Sequence, residues 1–346
     1  MMKKQINVSL PLNVTELEMP LFAPFLTYEL PPQKVKTLKN VFVTYTGFCI
    51  DRHGLVKASH HDHPHQLADF QQEAARYYYD ATDHPDSLLT IDDNHTYLLI
   101  HHPWYNYYHW LMESIFRLWM VKEKKDKLIL LLPDYYSKVD FIMGSLEPFA
   151  FKNVFFIPGA KSLLVKNLCM PQIKSKVDSY DYQMVAGVRR RYLDYLVNEK
   201  KNEVYKSERI YISRRKATRK RVENEEDIES ILLKYNFTIL NNEDYSFWEQ
   251  VSIYSKAKYL VSMHGSGLTN MLFMQEGSSV LEFHKKQTNA KDWHSKAFWY
   301  QAEALGFRYY QQMCDPTDLE DDYFNANFIV DPSLLDKNLA LMLADR

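Results

Sequence analysis

Glycine is scarce in this chain, at 9 of 346 residues, against a usual share of about 7%. Each glycine present therefore marks a place where the backbone needs freedom or close approach. Cysteine is scarcer still. Cys49, Cys169 and Cys314 are far apart and form no CxxC pair. That excludes a disulfide framework and a cysteine-built zinc site, and points to a reducing compartment. No run approaches the ~20 apolar residues of a membrane-spanning helix, and the opening MMKKQINVSLPLNV holds no apolar stretch suited to a signal peptide. A large net charge is also missing. At −2, no global field draws the chain to nucleic acid or an anionic surface. The expectation is a soluble cytoplasmic protein without a nucleic-acid partner, with peripheral membrane contact left open.

What is present is ordinary globular composition, 46% hydrophobic and 25% charged. At 346 residues the chain passes the size at which one core stops growing, so two domains are expected. Aromatics abound, with 25 Tyr, 19 Phe and 6 Trp; such rings pack cores and also suit flat ligands such as sugars and bases.

The pattern is hard to read before residue 95, where NVFVTYTGFCI looks like a strand. From 96 onward it sharpens. TYLLIHH, KLILLLP and NVFFIP read as short buried strands, SLLVKNLCMPQ as another, and NYYHWLMESIFRLWMVKEKK as a helix. Strands alternating with helices imply a parallel sheet. After a lysine-rich stretch near 200, RIYISRR, FTILN, KYLVSM and SSVLEF read as strands. Between them lie ENEEDIESILLKYN, with Asn224 as N-cap, SFWEQVSIYSKA, with a Ser246 and Glu249 capping box, and the short helix GLTNMLFMQ. This predicts an α/β protein with an N-terminal domain over 1–200 and a Rossmann-like C-terminal domain over 201–330. A last helix over 331–346 is expected to pack back on the N-terminal domain.

Four stretches carry chemistry. In SMHGSGLTN, Gly265 and Gly267 follow a buried strand and precede a helix start, with His264 and Ser266 as side-chain donors. A bare tight turn and a phosphate cradle both fit. GxGxxG is absent, since Asn270 stands where the third glycine belongs. In RIYISRRKATRKR, Arg214 and Arg215 follow a strand end, with Arg219, Lys220 and Arg221 close behind. A solvated basic loop is the plain alternative to a diphosphate clamp. His109, Glu113 and Arg117 recur every four residues and share a helical face, so a carboxylate beside a histidine offers a general base. Glu282, near a strand end, suits a sugar hydroxyl or a terminal salt bridge. His60, His61, His63 and His65 form a cluster, but one short loop seldom closes a metal site alone.

In this order the blocks resemble glycosyltransferase family 61 over 96–283. The family's N-x-x-H-x-x-x-[DE] block is matched by Asn106, His109 and Glu113. Its SR…R…NE block is matched by Ser213, Arg214, Asn224 and Glu225. Its HGAGLTN…F…G…E block is matched by His264, Gly265, Gly267, Leu268, Thr269, Asn270, Phe273, Gly277 and Glu282. Ser266 replaces the usual alanine, and the second arginine position falls on Lys220. The resemblance implies an inverting, metal-independent transferase of GT-B architecture, with two facing Rossmann-like domains and parallel sheets. It implies no cofactor beyond a nucleotide-sugar co-substrate, with UDP as carrier. Arg214, Arg219, Lys220, His264, Gly265, Ser266, Gly267, Leu268, Thr269, Asn270 and Glu282 would bind that donor. Glu113 would be the base, with His109 competing, and Asn106, Tyr107 and Arg117 are read as acceptor-side. The acceptor would be a glycan or glycolipid of capsule or lipopolysaccharide synthesis. An inactive nucleotide- or glycan-binding module and a histidine-cluster metal hydrolase are the alternatives.

Overall fold

Three short apolar runs lie side by side in the computed structural model of the chain. Thr96–Leu99, Leu128–Pro133 and Val154–Ile157 pair in parallel, and Ser162–Pro171 joins them on the far side of Thr96–Leu99. The three short strands are largely apolar, as strands covered on both faces are; Leu98, Leu99, Leu130, Leu131 and Leu132 are fully buried. Beyond Ser162–Pro171 the sheet turns antiparallel through Val35–Val43, Cys49–Asp51 and Gly54–Leu55. Leu88–Ile91 pairs with the first half of Ser162–Pro171. The stretch that reads as one strand over 40–50 is therefore two, reversed at 45–47. Gly47 makes that reversal, with φ of +99°. A Cβ there would lie 2.5 Å from the His101 carbonyl oxygen, so the turn can press on the strand end only as glycine. The structure describes residues 4–63, 66–174, 176–200, 204, 206–290, 294–323 and 325–344.

A second sheet runs in the order Thr238–Leu240, Arg209–Ile212, Tyr259–Met263, Ser279–Lys285, Arg308–Pro316, all parallel, with Phe328–Ile329 antiparallel at the edge. In chain order the five parallel strands lie 2-1-3-4-5, a doubly wound arrangement whose switch point falls between Arg209–Ile212 and Tyr259–Met263. The strand Arg308–Pro316 was not legible beforehand. Its sequence, RYYQQMCDP, has no β-branched residue, and its burial alternation is lost because both faces are covered.

The helices on this sheet follow local rules. Phe247–Ser255 starts with the expected capping box, the Glu249 carboxylate accepting from the Ser246 N–H at 2.8 Å. Glu225–Lys234 begins at Asn224, but that side chain does not cap it. Asn224 instead donates to the Val330 carbonyl at 2.8 Å and accepts from the Val330 N–H at 3.0 Å, so it ties down the edge strand. Tyr182–Glu199 is capped by Asp181, which accepts from the N–H groups of Gln183 and Met184.

Contacts divide the chain into two compact units, one of Met1–Lys4 and Pro31–Ser179, the other of Gln5–Leu30 and Tyr180–Arg346. These bounds differ from the expected split near 200. Tyr182–Glu199 belongs to the second unit because Tyr192 is fully buried against Phe247 and Phe273. Residues 5–30 belong there too. Phe22 packs edge-on against Trp299 at 5.1 Å, and the Trp299 indole N–H donates to Ser9 O at 2.8 Å. The last helix, Pro332–Ala344, expected to pack on the N-terminal domain, seats Leu335, Leu339 and Met342 in the second unit's core. Among the described residues no helix is long and apolar enough to cross a membrane.

Candidate functional site

The helical pattern of NYYHWLMESIFRLW forms, but not as one α-helix. Tyr107–His109 opens it, with the Asn106 carboxamide accepting from the His109 N–H at 3.1 Å. Trp110–Ser114 is a π-turn and Ile115–Trp119 returns to α. A π-turn inside a helix is a recurrent feature of functional sites. Here it follows His109 and contains Glu113.

Glu113 is 1% exposed, and three imidazoles surround its carboxylate. His61 Nε2 lies 2.9 Å from Oε1; His109 Nδ1 lies 2.8 Å and His102 Nε2 3.0 Å from Oε2. Burial alone would raise the Glu113 pKa, but His61 and His109 outweigh it and hold the carboxyl well below its usual range. Burial likewise pushes His102 down to about 3 and lowers His61, so both are neutral at pH 7. Trp104 stacks on His61 at 4.6 Å and tilts toward His109 at 5.0 Å. His109 is the member that reaches solvent, its side chain 16% exposed. With Nδ1–H given to Glu113, its Nε2 carries the lone pair.

Arg117 departs from this stripe. Its guanidinium is buried and donates to Pro171 O at 2.7 Å, Ile100 O at 2.6 Å and His101 O at 3.1 Å. It fastens strand ends and is not available to an acceptor. Tyr107 is half-buried against Phe141, and Asn106 is exposed as the helix cap.

The second cluster sits past the carboxyl ends of the parallel strands at the switch point. Arg214 follows Arg209–Ile212, and His264 and Gly265 follow Tyr259–Met263. Arg214 Nε donates to Lys220 O at 2.9 Å. This folds the basic loop back, and Lys220 takes φ of +57°. Lys220 is thereby turned inward, 8% exposed, with Nζ 4.3 Å from the centre of the Tyr323 ring. Burial, then neighbouring Arg214, push the Lys220 amine down to about 7. Arg219 points elsewhere, to Asn325 Oδ1 at 2.8 Å, and Arg221 is exposed. Arg215 pairs with Glu229 and, at 3.5 Å, Glu225. Of the three basic candidates, Lys220 is the one that joins Arg214.

His264 gives Nδ1 to Glu282 Oε1 and leaves Nε2 without a protein partner among the described residues. Glu282 is fully buried, and its other oxygen accepts from Tyr309 Oη at 2.7 Å. Behind it, His284 Nε2 lies 3.0 Å from Tyr309 Oη and His284 Nδ1 3.3 Å from Tyr323 Oη. One proton assignment satisfies all of these: Tyr323 to His284, His284 to Tyr309, Tyr309 to Glu282, His264 to Glu282. Glu282 is thus engaged by protein and not free for a ribose or sugar hydroxyl, contrary to expectation. Its role is to orient His264, whose pKa burial lowers to about 4.

The glycine pair has a packing reason. A Cβ on Gly265 would lie 3.2 Å from Arg214 Nη1; one on Gly267 would lie 3.2 Å from Asn242 Nδ2 and 3.4 Å from two Ile212 carbons. Gly265 makes room for the guanidinium and Gly267 for the neighbouring strand. The turn continues into a 3₁₀ helix, Ser266–Phe273, rather than an α-helix. Ser266 is half-exposed, but Leu268, Thr269 and Asn270 are fully buried. Asn270 donates to Gln250 Oε1 at 3.0 Å and Thr269 O accepts from Gln301 at 3.2 Å. The Asn270 side chain and the Thr269 carbonyl thus hold the turn, and all three side chains are buried.

Among the described residues, two groups have ligand atoms close enough for a metal: His61, His102 and Glu113, and His264, Glu282 and His284. In the first, His102 Nδ1 accepts from the Trp104 N–H at 3.3 Å, so the proton of the neutral ring sits on Nε2, facing Glu113. A metal-bound histidine normally donates its other nitrogen, so this donor set suits a proton network better. Of the early histidine cluster, His61 joins Glu113, His60 bonds the His61 carbonyl at 2.7 Å, His63 lies beside His61, and His65 lies outside the described residues. Sequence reasoning missed His102, His284, Tyr309 and Tyr323. The position of His102 just past the TYLL strand was the available signal; the others lie on sheet interiors or loops without a motif.

His102 in the first unit and Arg214 and His264 in the second thus follow the carboxyl ends of parallel strands. A family model described as Glycosyltransferase 61 matches residues 107–281, half of the chain. The chain belongs to glycosyltransferase family 61. A search of curated proteins finds no match.

Proposed function

We propose that the protein transfers a sugar from a nucleoside diphosphate sugar to an acceptor hydroxyl in one inverting displacement without a metal. The observation that carries this reading is the set of Arg214, Lys220, His264 and Gly265 past the strand ends at the switch point, where doubly wound sheets bind their ligands. Arg214 and Lys220 neutralise the leaving diphosphate, and His264, supported by Glu282, donates to it from Nε2 once protonated. Ser266 is half-exposed beside them.

His109 is the base in this reading. It takes the acceptor proton on Nε2 as the acceptor oxygen bonds the anomeric carbon and the bond to the diphosphate breaks. Glu113 fixes the tautomer and stabilises the imidazolium, a division of labour familiar from histidine–carboxylate pairs. Glu113 is a weaker choice of base, because it is buried and held ionised, with little proton affinity at neutral pH.

UDP as carrier, a surface glycan or glycolipid as acceptor, GT-B architecture and a cytoplasmic setting are parts of the same proposal. They rest on the family and on three buried, unpaired cysteines. Calorimetry with UDP tests the donor site. Wild-type binding that Arg214→Ala weakens at least tenfold supports it; absence of binding by UDP and by the other nucleoside diphosphates removes it. UDP binding without release of UDP from any donor favours an inactive module.

A further inference from the structure

The second unit gathers three histidines near Glu282. His264 meets its carboxylate through Nδ1, and His284 Nε2 lies 3.4 Å from Oε2. The ligand atoms of these three residues all lie within 4.8 Å of one another. His294 stands beside them, its ring centre 4.4 Å from that of His284. It is 7% exposed, and its Nε2 is buried without a hydrogen-bond partner among the described residues. A buried polar nitrogen left so costs about 1–3 kcal/mol, and the transfer reading gives His294 no part. Aromatic rings close the cluster, with Phe22 edge-on to His294 at 4.9 Å and Phe298 5.1 Å from His264.

The hydrogen bonds around Glu282 have a second solution. His264 Nε2 has no protein partner among the described residues, so the ring can carry its proton there and free Nδ1. The Tyr323 hydroxyl, 3.3 Å from His284 Nδ1, can accept as well as donate, so His284 can hold its proton on Nδ1 and free Nε2. Two tautomer changes, with no net loss of protons, turn two N–H groups near Glu282 into two lone pairs. Tyr309 goes on donating to Oε2 at 2.7 Å, which leaves Oε1. With His294 Nε2 the set is three imidazoles and one carboxylate. Such donors suit tetrahedral zinc, whereas magnesium and calcium take oxygen ligands. A metal-bound histidine normally donates its other nitrogen, and for His284 the Tyr323 oxygen is in place to receive it. The first trio lacks this freedom, because His102 Nδ1 accepts from a backbone N–H that cannot reverse.

We infer that His264, Glu282, His284 and His294 form a zinc site that clips the ends of two neighbouring strands, Tyr259–Met263 and Ser279–Lys285, to the segment carrying His294. The ion meets His264 at Nδ1 and leaves Nε2 on the other side of the ring, so the proposed transfer keeps a metal-free diphosphate. The inference stands apart from that transfer, which UDP calorimetry tests separately. Its own test uses the full-length protein, stripped with a chelator and titrated with zinc ions by calorimetry and against a chromogenic chelator. One equivalent should bind, magnesium should not compete, and zinc should raise the melting temperature, as a ligand of the native state does. X-ray absorption should show about four nitrogen and oxygen neighbours with imidazole scattering. His284→Ala and His294→Ala should each weaken zinc at least tenfold and reduce the thermal shift. His294→Ala breaks no hydrogen bond made by Nε2, so it serves where His284→Ala fails to fold. No zinc equivalent, a six-oxygen shell, or affinity unchanged by His294→Ala overturns the inference. Zinc lost in His61→Gln but kept in His294→Ala overturns it in favour of the Glu113 trio.

Discussion

His109 Nδ1 lies 2.8 Å from Glu113 Oε2, and the transfer proposed above assigns the moving proton to the histidine of this pair. The second unit repeats the arrangement with His264 on Glu282. Each pair combines a buried carboxylate with a histidine that reaches solvent at 16% and 12% of its side chain. In the proposed reaction the acid of each pair is a fixed negative charge and the imidazole is the working group.

His109→Ala should therefore lower transfer by about 10²–10⁴-fold while leaving UDP affinity unchanged, measured by UDP release and calorimetry. Glu113→Gln should lower transfer less. It should also lower stability by about 1–3 kcal/mol, because a buried amide now faces imidazole N–H donors that held a carboxylate. Equal loss of UDP affinity in His109→Ala would argue against its role as base.

Lys220 predicts a pH dependence. Its amine sits at about 7 in the unliganded protein, and a bound diphosphate favours the ammonium form. UDP affinity should then fall as pH rises from 7 to 9, with proton uptake on binding that shows as a buffer-dependent calorimetric enthalpy. Lys220→Met should weaken binding at pH 7 and flatten the profile. Without ligand the sign reverses. Between about 7 and the ordinary lysine value the unfolded chain binds a proton that the folded one has lost, so this group makes stability rise with pH in that window.

The glycines separate packing from binding. Gly267→Ala places a Cβ 3.2 Å from Asn242 Nδ2 with the buried Ile212 behind it at 3.4 Å, and should cost about 1–3 kcal/mol, read in thermal unfolding. Gly265→Ala meets only the end of the Arg214 side chain, which can swing. Its melting temperature should hold while UDP affinity drops several-fold.

Much of this site was legible in the sequence because strand ends and glycines are local signals. RIYISRR, KYLVSMHG and TYLLIHH each end a buried strand in polar residues, and those ends carry Arg214, His264 and His102. What lay beyond reading was long-range. His61 reaches Glu113 across 52 positions and Tyr309 reaches Glu282 across 27, and no spacing encodes such pairs. The inward turn of Lys220 depends on its left-handed backbone and on the Arg214 bond to its carbonyl, whereas charge alone made Arg219, Lys220 and Arg221 equivalent. The unit boundaries were hidden for a similar reason. Trp299 and Phe22 join segments far apart in sequence.

Glu282→Gln tests how the second cluster works. His264 holds Nδ1–H toward Glu282, so its Nε2 presents a lone pair, which repels a diphosphate unless that nitrogen gains a proton. Burial disfavours the imidazolium and keeps the His264 value near 4; the Glu282 charge opposes this, and an arriving diphosphate adds to it. UDP binding should accordingly draw a proton onto His264 as well as Lys220. With glutamine at 282 the charge is gone and His264 stays neutral, so UDP affinity should fall by about 10–100-fold, the range for a lost hydrogen bond to a charged group. Proton uptake measured in two buffers should shrink in the same variant. Tyr309→Phe provides the control, since it removes one donor to Glu282 but keeps the charge. It should lower stability by about 1–3 kcal/mol and leave the proton uptake in place. Undiminished uptake in Glu282→Gln would mean that His264 plays no part in holding the diphosphate.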